Sequence, residues 1–110
     1  MDRNTVRVPG AKIAFVLGGD DDPATVDDFD VVVTLDDGSR WSATLVTLPA
    51  IERTMDRWRG TGECLDGAFF QSQDLVILRH PGVTAATDVL SRLVAAGQIP
   101  YTLVRLEDAD

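Results

Sequence analysis

The segment Phe29–Thr47 constrains the fold of this chain most tightly. Two alternating apolar runs, Phe29, Val31, Val33, Leu35 and then Trp41, Ala43, Leu45, flank the turn sequence Asp36-Asp37-Gly38, the pattern of a β-hairpin. A two-residue loop at Asp37-Gly38 pairs Val33 with Ser42 and sends the two apolar sets to opposite faces. A three-residue loop, with Gly38 left-handed in a G1 bulge, pairs Leu35 with Ser39 and Val33 with Trp41. All seven apolar side chains then share one face. Because a slip of one residue turns every side chain over, only the second arrangement builds a core. The other face reads Asp30, Val32, Thr34, Arg40, Ser42, Thr44, Val46, half polar, as in an antiparallel sheet wetted on one side.

Other elements are read around this hairpin. Val6–Val8, a Pro9-Gly10 turn and Lys12–Leu17 form a second strand pair. Gly18–Asp27, aperiodic and rich in Asp, reads as a mobile loop. Leu48–Arg59 is a helix capped by Thr47, with Pro49 in its first turn, Gly60 as its stop and Leu48, Ile51, Met55 and Trp58 as its apolar stripe. Thr61–Gly67 is a glycine-rich loop. Ala68–Gln71 and Leu75–Arg79 read as paired strands, the second near the sheet centre because Leu75-Val76-Ile77-Leu78 is wholly apolar. A second helix covers Val83–Ala96, with Val83, Ala86, Val89, Leu90 and Leu93 inward and an outward Asp88–Arg92 pair. Tyr101–Leu106 is a last edge strand, and 107–110 a frayed acidic tail. The expected fold is α+β: a two-layer, mostly antiparallel sheet with two helices on one face.

Composition bounds the rest. The chain has 110 residues, 45% of them hydrophobic and 25% charged, the size and balance of a single globular domain over residues 1–110. No apolar run spans a membrane, no signal-peptide pattern opens the chain, and the single Cys64 forms no internal disulfide, so a soluble cytoplasmic protein is expected. The formal charge is −8, and its excess is local. Asp20, Asp21, Asp22, Asp27, Asp28, Asp30, Asp36 and Asp37 fall in a stretch without Lys or Arg, and the remainder balances at ten acidic against ten basic residues. Such a block repels phosphate backbones and attracts basic partners, which excludes direct nucleic-acid binding. The competing explanation is a solvated, solubilising loop in a chain whose 15 Asp, 3 Glu, 9 Arg and 1 Lys also fit codon bias in a GC-rich genome.

Catalytic patterns are thin. One cysteine and one histidine supply no zinc tetrad. A Cys64–His80 pair oriented by Asp74 or Asp66 is conceivable, against the commoner reading of a small thiol and a surface histidine. The aspartates offer oxygens for calcium but lack the EF-hand order. Gly18-Gly19 follows a strand as a phosphate loop does, but Asp20-Asp21-Asp22 comes next. Arg53, Arg57 and Arg59 are offset by Glu52 and Asp56 on the same helix. Trp41 and Trp58 fit apolar stripes and read as core, while one of Phe69 and Phe70, together with Tyr101, is left for the surface. No catalytic residue, metal or cofactor is assigned.

The stretches Leu35-Asp36-Asp37-Gly38-Ser39-Arg40-Trp41-Ser42-Ala43 and Arg57-Trp58-Arg59-Gly60-Thr61-Gly62-Glu63-Cys64-Leu65-Asp66-Gly67, within Phe29 to Ala96, resemble a group of small, functionally uncharacterised bacterial proteins. In size, acidity and α+β order the chain is also similar to immunity proteins that neutralise bacterial toxins. The localised Asp block, in a small domain without catalytic equipment, points to a non-catalytic protein-binding module, most specifically an immunity-type inhibitor of a basic toxin, with Asp20, Asp21, Asp22, Asp27 and Asp28 as contacts and Asp36 and Asp37 secondary. Two alternatives stand beside it. One is a structural or regulatory homodimer formed through an edge strand and a fairly apolar second face. The other is a small-molecule-binding protein or enzyme using the 61–67 loop with Cys64 or His80.

Overall fold

A computed structural model describes residues 4–107, which form an α+β fold. Of the acidic tail expected at 107–110, only Glu107 is among the described residues. β3 (Asp28–Leu35) and β4 (Arg40–Thr47) pair in the register that parity requires, with Val33 opposite Trp41 and Phe29 opposite Leu45. Gly38 takes a φ of 87°, and Gly38 N donates to Leu35 O while Leu35 N donates to Ser39 O, each at 2.9 Å. A residue with a Cβ is strained at that φ, so the glycine fixes the phase of both strands. β1 (Thr5–Val8) and β2 (Ala11–Val16) meet through the Pro9-Gly10 turn, and β2 pairs antiparallel with β3.

Alternation then collects Ile13, Phe15, Phe29, Val31, Val33, Ala43 and Leu45 on one buried face. α3 (Val83–Ala95) contributes the buried Ala86 and Leu90 to this cluster, with Val83, Val89 and Leu93 packed at its margin. The outward Asp88–Arg92 pair forms at 3.1 Å.

At the other edge of β4 the sheet departs from expectation. β5 (Leu75–Leu78) runs parallel to β4, with Thr44 opposite Leu75, and no strand forms at 68–71. β5 is a short edge strand rather than a central one. Leu78 is buried and Val76 packs on the core, but Ile77 is 49% exposed. Phe70 leaves the ladder because its ring stacks on Trp58, centroids 5.9 Å apart. The expected strand at 101–106 shortens to β6 (Val104–Leu106), which pairs antiparallel with β4 at the end that β5 leaves open. Pro100 lies in the first turn of the short α4 (Ile99–Thr102), where no N–H is needed. This turn buries Ile99 and positions Leu103 in the core.

α1 (Leu48–Arg57) begins where β4 ends, with Ala50 N bonded to Thr47 Oγ1 at 3.3 Å as the expected cap. Its buried residues are Ala50 and Thr54, while Leu48 is 64% exposed, so the stripe read as Leu48, Ile51, Met55 and Trp58 loses its first member. Thr54 tolerates burial because its hydroxyl donates to Ala50 O at 3.0 Å. None of these α1 residues joins the cluster beneath α3, so the grouping of both long helices over one face is not what the core describes. Val46, which points away from that cluster, is fully buried at the β4 end next to α1.

Between α1 and β5 the glycine-rich segment contains α2 (Cys64–Gly67), a left-handed turn in which Cys64, Leu65 and Asp66 have φ of 46°, 53° and 59°. Each such residue costs about 1–2 kcal/mol. Asp66 Oδ1 accepts from Gly62 N at 2.7 Å, and Gly67 N donates to Glu63 O at 2.9 Å, which closes the turn. Gly67 lies so near α1 that a Cβ there would stand 2.1 Å from Met55 O. Gly67→Ala is therefore expected to lower stability by about 2 kcal/mol or more, read from the urea midpoint. An unchanged midpoint would show that α2 does not pack against α1.

Candidate functional site

The aspartates singled out in the sequence divide between two ends of the sheet. Asp20, Asp21, Asp22, Asp27 and Asp28 lie at the end where β2 passes into β3. Asp36 and Asp37 lie at the hairpin tip. The eight residues of β3 separate the groups by about 23 Å. They do not form one anionic lobe, because the whole length of β3 lies between them.

The loop before β3 is hydrogen-bonded within itself and to the start of α3. Asp21 Oδ2 accepts from Gly18 N at 2.7 Å, and Asp22 Oδ1 from Ala24 N at 2.9 Å. Val26 is buried. Val26 O accepts from Gly82 N at 2.7 Å, and Pro23 O from Val83 N at 2.8 Å. The first amides of a helix lack partners within it, and here the acidic loop supplies them for α3. Asp20, Asp21 and Asp22 are exposed and form no ion pair among the described residues.

Asp27 and Asp28 face α1. Arg53 Nη2 meets Asp27 Oδ2 at 2.6 Å. Partial burial pushes the Asp28 carboxyl above the ordinary carboxylate range, aided by the neighbouring Asp30 and Asp27 charges and opposed by Arg57 and Arg53. At the far end, Asp37 accepts from the Ser39 hydroxyl and from Ser39 N at 2.8 Å, which holds it below the ordinary range. Ser39 Oγ in turn accepts from Trp41 Nε1 at 2.9 Å, and the Arg105 guanidinium lies 5.7 Å from the Trp41 ring centroid.

One polar cluster escaped the sequence reading. On the face away from the core, Asp74 accepts from Ser42 at 3.0 Å, Thr44 at 3.0 Å and Ser72 at 2.9 Å. Its backbone oxygen accepts from Thr44 N at 2.9 Å. Burial disfavours the Asp74 charge, yet the three hydroxyls outweigh it and the carboxyl lies below the ordinary range. Thr44 Oγ1 is also 2.9 Å from Asp30 Oδ1, so its single proton serves one carboxylate at a time. Ser42, Thr44 and Asp30 are visible as outer-face residues of the hairpin. Asp74 is not, because the parallel docking of β5 brings it there.

The Cys64–His80 pairing considered from the sequence has no hydrogen bond to support it among the described residues, and Asp66 and Asp74 are engaged as described. His80 borders an open depression of about 490 Å³ lined also by Leu78, Arg79, Pro81, Thr84, Asp88 and Val89, and the carboxylate on that wall, Asp88, is paired with Arg92 at 3.1 Å. Among the described residues, no group of three or more His, Cys, Asp or Glu is placed to hold a metal ion, and no helix is long and apolar enough to cross a membrane.

Two pH effects follow from these carboxylates. The lowered pKa of Asp74 stabilises the fold above the ordinary carboxylate value, and this contribution is lost as pH falls through the lower folded value. Asp74→Ala is expected to cost about 1–2 kcal/mol at neutral pH, with the difference from the parent shrinking in acid denaturation series as Asp74 protonates. Asp28 has the opposite sign: its raised pKa makes the ionised form a burden at neutral pH. Asp28→Asn should raise the thermal midpoint slightly at pH 7 and leave it unchanged where Asp28 is already protonated.

Compared with models of protein families, with curated proteins and with solved structures, the chain matches none.

Proposed function

We propose that this protein is a non-catalytic binding module that docks a basic partner protein through the acidic loop at the start of β3. The observation that supports it is the state of Asp20, Asp21 and Asp22: three adjacent, exposed carboxylates without ion pairs, on a loop whose backbone is bonded to the first amides of α3. Charges on an ordered loop steer an oppositely charged partner into contact without a large ordering cost on binding. Asp27 and Asp28 sit at the same end, partly offset by Arg53 and Arg57, and serve as its inner margin. Asp36 and Asp37, at the far end of β3, belong to a separate and secondary contact.

The specific form of this proposal is an immunity-type inhibitor acting in the cytoplasm on a basic toxin such as a nuclease. Nuclease sites are basic because they bind phosphates, and a row of carboxylates mimics that charge. Asp20→Asn/Asp21→Asn/Asp22→Asn preserves the side-chain oxygens that cap the loop while removing three charges. Association with a basic protein captured from the source cell on the parent is expected to slow about tenfold at low ionic strength, with a flatter salt dependence. Equal association rates for parent and variant would reject the loop as the docking surface.

A further inference from the structure

Beyond the end that α1 covers at Val46, the sheet face turned away from α3 carries its charges in rows that run across the strands. Arg7, Lys12, Thr34, Arg40 and Leu106 are lateral neighbours, one from each of β1, β2, β3, β4 and β6. The next row is Thr5, Ala14, Val32, Ser42 and Val104. The third is Val16, Asp30, Thr44 and Leu75. A cationic row, a small and nearly neutral row, and a row centred on an anion thus follow one another along the strands. Arg7, Lys12 and Arg40 are exposed and form no ion pair among the described residues. Arg7 and Lys12 even stand directly opposite each other, an arrangement that is unfavourable in an isolated sheet. Val16, 58% exposed, and Val104 add apolar surface.

This pattern is complementary to itself. A twofold axis laid along the middle row, parallel to the sheet and across its strands, brings two such faces together with their strand directions opposed. Lys12, Thr34 and Arg40 of the first row then face Val16, Asp30 and Thr44 of the other copy, strand for strand. Asp30 of a second copy comes over Thr34, between Lys12 and Arg40, whose strands flank β3 at about 4.8 Å on either side. The symmetry makes the same contact twice, and the small middle row lets the sheets approach. We propose that this face is the seat of a second copy of this chain, held by Asp30 against Lys12 and Arg40. It is a surface apart from the acidic loop assigned to the basic partner. Three rows of four or five residues cover roughly 20 by 20 Å, about 800 Å² over both copies, the size of a weak and transient dimer. Its charge pairs make it sensitive to salt.

Charge exchange tests the proposal with the full chain. Sedimentation equilibrium is run on the parent, on Lys12→Glu/Arg40→Glu, on Asp30→Lys, and on an equimolar mixture of the two variants. The parent is expected to dimerise at high micromolar concentration in low salt and to dissociate as salt rises. Each variant alone sets like charges face to face and weakens the dimer at least about tenfold. In the mixture both contacts are again between opposite charges, so a heterodimer returns. That recovery also shows that neither variant had lost its fold. A parent that stays monomeric at high micromolar concentration overturns the proposal, as does a dimer indifferent to both variants. A parent that is monomeric but binds heparin, and loses it in Lys12→Glu/Arg40→Glu, overturns it too and assigns the face to an anionic polymer.

Discussion

A single left-handed residue at Gly38 sets the phase of the two longest strands, and everything packed on the sheet inherits that phase. With Val33 opposite Trp41, seven apolar side chains of the central strands fall on one face, and α3 has a continuous surface to cover. The same phase places Asp30, Ser42 and Thr44 together on the other face. A one-residue slip would exchange the two surfaces. It would bury a lattice of carboxylates and hydroxyls and expose most of the core, so core and polar face stand or fall together.

Charge in this molecule is organised by topology rather than by sequence proximity. The acidic block is contiguous in the chain but is carried to both ends of the sheet by β3. Arg40 is far from Arg7 and Lys12 in the chain but joins them in one row across four strands. The acidic loop gains its order from a helix it does not belong to, because α3 needs acceptors for its first amides. The result is a scaffold with little local balancing of charge: among the described residues, the ion pairs are Arg53–Asp27, Arg59–Asp56 and Arg92–Asp88, all at exposed or half-exposed positions.

Local pattern carried the hairpin register, the Thr47 cap, the inner face of α3 and the α+β class, since each depends on residues close in sequence and on one period. Long-range choices were less visible. The run Leu75-Val76-Ile77-Leu78 reads as a central strand because apolar content cannot distinguish a strand buried on both faces from a short edge strand beside a helix. Its partner, β4, lies beyond α1, and the parallel pairing that brings Asp74 to Ser42 and Thr44 leaves no local mark. The same holds for Phe70, whose stacking on Trp58 took it from an expected strand, and for the three left-handed residues Cys64, Leu65 and Asp66, which no turn signature announces. At the acidic end, the residue types were visible in the sequence. The hydrogen bonds that join their loop to α3 were not, because their other half lies at Gly82 and Val83.

β5 and β6 share one side of β4, end to end, and reach it from opposite directions. Half of that side is filled after one helical crossover. The other half waits for residues 104–106, more than sixty positions downstream in the chain. Without residues 104–106 the first half of β4 has that side bare, a template open to any extended chain nearby. Arg40 stands at that gap. A long charged side chain on an unfinished border is a deterrent to mispairing, which gives this arginine a part to play before the native state exists.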